Sequence, residues 1–271
     1  MDRIRHNMII AAFGIALLAA SCSIKEIRTD CPCYLAVDTE GFHNAGMKKA
    51  RVSVFTESGL VSRESIELGL FVHEPYYVEV PRRMNYVSLA AGFGENSSLK
   101  GDTLMVVDGN MSDPLMAFSG EMACLGDNAE IKPVPHKQYC KVTINIIGKM
   151  PGDDYPYRYR INCPYSGLDL QTLVPIEGWG SFVLEENLQS MMECRLIRQK
   201  STELTMDVLR KGSEDVWEKI SSIRLGARLA QQGYDWTKED LDDVTITIDF
   251  SKADVFMEIQ PWVDEFREYD S

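Results

Sequence analysis

Arg51-Val52-Ser53-Val54-Phe55-Thr56 places valines at alternate positions, with polar residues between them. Side chains that alternate in this way face opposite sides of a β-strand, so one side of the segment fits a core and the other fits solvent. The residues that follow, Glu57-Ser58-Gly59, favour a turn. The stretch therefore predicts a half-buried strand that turns at its end.

The same alternation recurs along most of the chain. It predicts further strands at residues 34–37, 76–80, 86–91, 104–107, 115–118, 142–146, 157–161, 191–197, 204–208, 244–250 and 255–259. Turn-forming Gly, Asn, Asp, Ser and Pro residues separate these runs. Short alternating strands at this spacing are typical of β-sandwiches, whereas a βαβ fold needs a helix between consecutive strands. We therefore expect a mainly β fold.

Lys132-Pro133-Val134-Pro135-His136 interrupts the strand pattern near the middle of the chain. Proline has no backbone N–H to donate to a sheet, and it favours extended backbone in the residue before it. We therefore place a domain boundary here. It separates an N-terminal β-sandwich at residues 33–135 from a C-terminal β-sandwich at residues 136–271.

One region of the second half has helical periodicity. Ser213 is a suitable N-cap, Gly233 is a suitable stop, and Gly226 shortens the pattern. Between them, apolar residues recur at intervals of three and four: Val216, Ile220, Ile223, Ala227 and Ala230. The sequence therefore predicts a short helix in the second sandwich.

An acidic segment follows this helix. Thr237-Lys238-Glu239-Asp240 resembles a capping box with Asp in the Glu position, and Trp236 and Leu241 fit a hydrophobic staple across a helix start. The carboxylates of this segment would also suit calcium: Asp235, Glu239, Asp240, Asp242 and Asp243. The segment lacks the glycine of an EF-hand loop, so we favour a capped, solvated turn over a metal site.

The N-terminus predicts export and lipidation. Arg3 and Arg5 precede an apolar run that is shorter than the roughly 20 residues needed to span a bilayer. Ala19-Ala20-Ser21 then leads directly into Cys22, although the pattern of bacterial lipoproteins has leucine where Ala19 stands. The segment resembles a lipobox, and the alternative is an ordinary cleaved signal. We expect a lipoprotein signal peptide at residues 1–21, lipidation of Cys22 and a tether at residues 22–32.

Charge and cysteine content exclude several classes of function. The net charge of −13 excludes binding of nucleic acid through phosphate contacts and docking of a basic patch on anionic lipid. Cys31-Pro32-Cys33 does not have the Cys-x-x-Cys spacing of zinc ribbons or thioredoxins. The sequence leaves open whether long-range disulfides or buried free thiols occur among the mature cysteines: Cys31, Cys33, Cys124, Cys140, Cys163 and Cys194.

Several segments, taken in order, resemble the FimB-type fimbrial anchor lipoproteins of Bacteroidales, which build type V pili. The resemblance spans nearly the whole mature chain and depends on order and spacing, since no single motif is diagnostic. It excludes the middle of each half and gives no equivalent for Cys33. The segments that carry it are Cys22, Asp30-Cys31-Pro32, residues 34–38, residues 52–61, residues 242–249 and Ile259-Gln260-Pro261-Trp262.

The resemblance implies two tandem transthyretin-like β-sandwiches. It also implies an outer-membrane lipoprotein that anchors a pilus to the cell through strand exchange with a pilin and limits pilus length. The expected partners are fimbrial pilin subunits and, through acylated Cys22, outer-membrane lipid. Residues 255–262 are a donor-strand candidate, although an ordinary final strand is the simpler interpretation.

The sequence contains no recognisable catalytic site. His43, His73 and His136 lie far apart, and each is expected in a solvated loop. Neither a Gly-x-Ser-x-Gly elbow nor a Walker loop is present, and Gly92-Phe93-Gly94-Glu95-Asn96-Ser97 is interpreted as a loop because it completes only half of a dinucleotide fingerprint. We therefore expect no catalytic residue, metal or cofactor.

Two other functions remain as alternatives. The first is a glycan-binding or adhesive surface lipoprotein, which includes a pilus tip subunit of the same fold. It would use an exposed aromatic row around Trp179, which stands between two glycines, and Tyr165. The second is a secreted hydrolase, which would need a pair of carboxylates that the sequence does not single out.

Overall fold

The alternating segments fold as strands, as their patterning predicts. The computed structural model describes residues 31–148, 156–184, 191–212, 216–249 and 254–262. The predicted signal peptide, Cys22 and most of the tether lie outside these ranges. The first half contains β1 (Cys33–Val37), α1 (Glu40–Asn44), β2 (Lys49–Thr56), β3 (Gly59–Glu67), β4 (Tyr76–Val80), β5 (Met84–Ala91), β6 (Ser97–Lys100), β7 (Thr103–Val106), β8 (Met116–Ala123) and β9 (Asn128–Ile131). The second half contains β10 (His136–Lys137), β11 (Tyr139–Ile147), β12 (Tyr157–Asp169), β13 (Pro175–Leu184), β14 (Met191–Ile197), β15 (Thr205–Lys211), β16 (Trp217–Ile223), α2 (Leu225–Gln231), β17 (Asp243–Asp249) and β18 (Asp254–Gln260).

Two sheets of the first half share one core. The smaller sheet has the order β4-β1-β9, and the larger has the order β10-β8-β5-β2-β3. Strand β1 is antiparallel to β4 and parallel to β9. Side chains from both sheets meet between them, and full burial of such a side chain contributes about 1.5–3 kcal/mol. The buried set includes Leu35, Val37, Val52, Val54, Val78, Val80, Val87 and Leu89.

The second half repeats this arrangement. Its sheets have the orders β14-β11-β17-β18 and β16-β15-β12-β7-β6, and β13 pairs with β12. Their shared core includes Val142, Ile144, Ile161, Leu196, Met206 and Ile246, to which α2 adds Leu225 and Leu229. The predicted mainly β fold of paired sheets, with a short helix in the second pair, is confirmed.

Hydrogen-bonded strands join the two pairs of sheets. Strand β7 comes from the first half but pairs with β12, and β10 comes from the second half but pairs with β8. A third apolar cluster lies at this contact and contains Ala90, Leu104, Leu115, Ala117, Leu168, Leu170 and Ile197. Sheets therefore cross the predicted boundary after residue 135, and the division into domains at that residue stays a prediction.

The helix predicted from Ser213 is wrong in its first part. Ser213 itself lies outside the described residues, and the segment after it forms strand β16 along β15. Val216 and Ile220, which began the helical pattern, remain 57% and 46% exposed, so their spacing does not mark a buried face. Only α2 is helical. It begins beside Gly226, where a Cβ would lie 2.7 Å from the carbonyl oxygen of Thr202.

The capping-box resemblance at Thr237-Lys238-Glu239-Asp240 does not mark a helix start, and these residues form a turn, as expected. Asp235 accepts hydrogen bonds from the backbone N and Oγ1 of Thr237. Asp240, which would have closed the capping box, instead accepts a hydrogen bond from the backbone N of Lys137 at 2.7 Å. A competing tertiary partner therefore replaces the cap.

Candidate functional site

Four of the five carboxylates that suggested a calcium site accept hydrogen bonds from the protein, and the fifth, Glu239, is exposed. Asp243 pairs with the ammonium group of Lys137 and accepts the backbone N–H of Lys141 at 2.8 Å. Asp242 accepts the backbone N–H of Trp262 at 3.2 Å. No group of three or more His, Cys, Asp or Glu side chains in the described ranges is arranged to hold a metal ion.

The expectation of three solvated loop histidines is only partly correct. His73 is exposed in a loop, but His43 lies within α1. The side chain of His136 is mostly buried, and its Nδ1 lies 3.2 Å from a carboxylate oxygen of Asp240. The patterning missed this contact because the two residues are separated by more than a hundred positions in the sequence.

Gly92-Phe93-Gly94-Glu95-Asn96-Ser97 forms a loop around the buried carboxylate of Asp113. The backbone N–H groups of Gly94 and Asn96 each donate to Asp113 at 2.9 Å, and the hydroxyl of Ser97 donates to the same carboxylate. These donors satisfy an internal anion, so they are not available for phosphate. The interpretation of this segment as a loop is confirmed.

Lys137 is fully buried at the centre of a second polar cluster. Its ammonium group pairs with Asp243, donates to the carbonyl oxygen of Leu241 at 3.0 Å, and lies 4.9 Å and 4.6 Å from the ring centroids of Tyr139 and Trp262. A buried ammonium is costly unless it is paired and hydrogen-bonded. The cluster therefore fastens the start of the second half to β17 and to the end of β18.

Arg198, the residue directly after β14, also belongs to this polar region. Its guanidinium donates to Oε1 of Gln138 at 2.9 Å and to the carbonyl oxygens of Trp236 and Glu239. Burial lowers the pKa of Arg198. We call the set Lys137, Arg198, Asp240 and Asp243 the connector junction. Its contacts are those of a structural fastening.

The cysteines from Cys31 onwards are free thiols, and all except Cys31 are buried. Burial raises the pKa of Cys140 and of Cys163 to about 12, and that of Cys124 to about 11. Nucleophilic attack by cysteine requires the thiolate. These side chains therefore serve the core and not catalysis.

Trp179 is 71% exposed on β13. Gly178 beside it is favoured by packing, since a Cβ there would lie 2.6 Å from Oγ of Ser166 on β12. Tyr165, the other member of the predicted aromatic row, is half-buried opposite Glu177. The structure therefore offers one exposed ring here and only part of a second.

A cleft of about 600 Å³ opens at one end of the second sandwich. Its lining combines the core side chains Tyr159 and Ile248 with polar side chains such as Ser221, Gln231 and Asp249. Strand β16 lines one side from Ile220 to Ile223. Arg224, at the N-cap of α2, and Arg228, in its last turn, also line the cleft. The cleft therefore leads from the edge of one sheet into the core between both sheets.

Two other sheet edges of the second half are partly covered. On β13, the backbone N–H of Ser181 donates to Asp108 at 3.0 Å, and its carbonyl accepts from the backbone N of Gly109 at 2.9 Å. On β14, the carbonyl of Arg195 accepts from the backbone N of Ser112 at 2.9 Å. The turn after β7 therefore occupies backbone groups on both edges.

The edge of β16 differs from these. On β18, which is the edge strand of the other sheet, the carbonyl oxygen of Met257 accepts a hydrogen bond from Nε2 of Gln232 at 3.1 Å. In the described part of the chain, no backbone group of β16 bonds to anything on the side away from β15. Five of its seven residues are exposed. An unpaired strand edge is a template for adding another strand.

Side-chain contacts hold β16 firmly on its other side. Asp207 on β15 accepts hydrogen bonds from Lys219 and Ser222 of β16, both at 2.7 Å. Arg160 and Asn162 of β12 donate to the same carboxylate at 3.1 and 3.2 Å. Burial alone would raise the pKa of Asp207, but these donors outweigh it and lower the pKa to about 2. The open edge is therefore a well-fastened strand.

Comparisons with known proteins show what this fold resembles. No family model matches the chain, and no curated protein matches it. Among the described residues, no helix has the length and hydrophobicity to cross a membrane.

Solved structures match the chain over most of its length. A candidate polysaccharide-binding protein from Bacteroides thetaiotaomicron is 14% identical, with a TM-score of 0.61, over 87% of this chain and 99% of that one. The fimbrial anchor protein Mfa2 from Porphyromonas gingivalis is 12% identical, with a TM-score of 0.59, over 86% and 98%. A candidate adhesin from Bacteroides ovatus is 12% identical, with a TM-score of 0.57, over 88% and 96%. The chain shares the fold of these proteins across both of its halves.

Proposed function

We propose that this protein is a non-enzymatic outer-membrane lipoprotein that attaches a fimbria to the cell surface. The observation that carries the proposal is the shared fold with a fimbrial anchor protein over 86% of this chain and 98% of the anchor. The open edge of β16 supports it as well, because addition of a strand is a means by which a folded subunit can hold an extended segment of another.

The lipid attachment is assigned to Cys22, directly after the apolar run of the signal peptide. Each buried acyl methylene contributes about 0.8 kcal/mol, so several chains on one cysteine hold a protein firmly in a membrane. The tether then leads into β1, the central strand of its sheet. Force on an attached fimbria would reach the membrane through this segment, and the attachment would also limit the length of the fimbria.

The experiment is replacement of Cys22 in the native strain. Cys22→Ala removes the acylated side chain, and fimbriae are counted on cells and in the culture medium by electron microscopy. We expect long fimbriae free in the medium. Fimbriae that remain attached and unchanged in number would refute the anchoring function.

A second function, glycan binding at the cell surface, is favoured by one observation. Trp179 is a large ring that is exposed on a sheet edge, and a protein of the same fold is described as a candidate for polysaccharide binding. Trp179→Ala would then abolish binding on a glycan array while leaving the melting temperature unchanged. A wild-type protein that binds no glycan on the array would exclude this alternative.

A further inference from the structure

We infer that the outer edge of β16 and the cleft beside it accept one strand of the attached fimbrial subunit. The incoming strand would continue the sheet β16-β15-β12 and would close the second sandwich over the cleft. The inference rests on the proposed function for the identity of the partner. The place and the chemistry come from the edge and the cleft.

The backbone of β16 has donors and acceptors directed outward. The backbone N of Gly212 donates to the carbonyl of Val216 at 2.8 Å, so these two residues form a hydrogen-bonded pair. Hydrogen-bonded and non-bonded pairs alternate in an antiparallel ladder. Trp217 opposite Lys211 and Lys219 opposite Leu209 are therefore non-bonded pairs, and the N–H and C=O groups of Trp217 and Lys219 point away from β15.

The lining of the cleft determines which side chains the incoming strand needs. Alternate side chains of a strand paired with β16 would point toward the core side, where Ile220 and Ile223 line the cleft above Tyr159 and Ile248. These four side chains are the apolar part of a lining that also has polar groups, and Ile220 is 46% exposed without a partner strand. The incoming strand should therefore have large apolar residues at alternate positions.

The charges around the edge of β16 further limit which strand could pair with it. Arg224 is exposed beside the cleft and has no ion-pair partner among the residues that the structure describes. Two copies of this edge would bring their Lys219 and Arg224 side chains onto one short ribbon, and like charges on neighbouring strands are unfavourable. A register shift between Val208 and Leu209 also distorts the edge, a feature that limits indiscriminate pairing. The register shift disfavours pairing between two copies of this edge, and unpaired Arg224 favours a partner strand with an acidic residue beside it.

The decisive variant is Lys219→Pro in the native strain, with Lys219→Ala as its matched control. Both remove the ion pair with Asp207, but only proline removes the outward N–H and places its ring against an incoming strand. The ladder to β15 does not use this N–H. One lost hydrogen bond and the steric block predict about a tenfold or greater loss of affinity for the subunit.

We expect Lys219→Pro to release fimbriae into the medium as Cys22→Ala does, while Lys219→Ala retains them on the cell. Melting temperatures of the purified variants establish that both are folded. If Lys219→Pro does not fold, Arg224→Glu tests the inference instead, with Lys100→Glu at an exposed position as its control. Arg224→Glu should release fimbriae, and Lys100→Glu should not.

The outcomes separate this inference from the proposed function. If Cys22→Ala releases fimbriae but folded Lys219→Pro and Arg224→Glu keep them attached, the protein is an anchor and its acceptor edge lies elsewhere. If Cys22→Ala itself leaves fimbriae attached, the anchoring function fails. If Lys219→Ala keeps fimbriae on the cell and Lys219→Pro releases them, both the anchoring function and the acceptor edge on β16 are supported.

Discussion

The connector junction and the edge of β16 lie in the same half of the molecule but treat their polar groups in opposite ways. In the connector junction, a buried ammonium and a buried guanidinium bond to carboxylates and carbonyls of the same chain. Along β16, the backbone groups directed away from β15 have no partner in the described residues. Polar groups that the chain itself satisfies serve stability, whereas a strand edge left open beside a cleft is suited to a partner.

The largest effect is expected at Lys137. Lys137→Met keeps the apolar part of the side chain but leaves the carboxylate of Asp243 without its cation, and breaking a buried pair costs about 3 kcal/mol or more. Urea unfolding of the purified protein measures the change. Lys141→Met is the control, because Lys141 pairs with Glu193 while both side chains are 45% exposed, and such pairs contribute about 0–1 kcal/mol. Equal losses in both variants would contradict the structural role of the junction.

A smaller and pH-dependent effect is expected at Asp207, which fastens β16 to its sheet. Its pKa is about 2 in the folded protein and 3.8 in the unfolded chain, so its stabilisation is present above pH 4 and is lost as the pH falls toward 2. The difference corresponds to about 2 kcal/mol. The free energy of unfolding, measured with urea, should be higher for wild type than for Asp207→Asn by this amount at pH 7 and by little at pH 2. A constant difference across this range would show that the carboxylate charge is not responsible.

The smallest effect on stability is expected along the open edge. The backbone amides of Trp217 and Lys219 should exchange with deuterium much faster than that of Ile144 in the central strand β11, because only the latter is within a fully paired ladder. Exchange measured by NMR on the isolated protein tests this contrast. Slow exchange at both edge positions would mean that another part of the chain already covers β16.

Patterning predicted most strands because their side chains alternate between a core and solvent. It missed β3, where exposed apolar and exposed polar residues are mixed, and β13, which is interrupted by glycines. It also missed β6, β9 and β10, which are too short to show an alternation. It misassigned β16 as helix because the exposed Val216 and Ile220 happened to follow a helical interval. Pairing with β15 stabilises a strand at this position, and the spacing of residues within one segment does not reveal which strand it pairs with.

The connector junction and the edge were beyond sequence reasoning for the same reason. Lys137 and Asp243 are brought together only by the tertiary fold, although Asp242-Asp243 and Trp262 both belong to the segments that resemble the fimbrial anchor family. Nothing in residues 217–223 identifies an edge that lacks a neighbour. Only the sheet order reveals that β16 is outermost and borders a cleft.

The most direct test of the account is photo-crosslinking from the edge of β16 in the native strain. A photoreactive benzoylphenylalanine replaces Lys219, and the same residue replaces Lys100 as the control on a distant exposed strand. Irradiation of fimbriated cells, followed by mass spectrometry of the purified adducts, identifies what lies against each position. The account predicts that position 219 crosslinks to an extended segment of a fimbrial subunit with alternating apolar residues, and that position 100 does not. Fimbriae that remain attached while position 219 crosslinks only to its own chain, or to nothing, would contradict it.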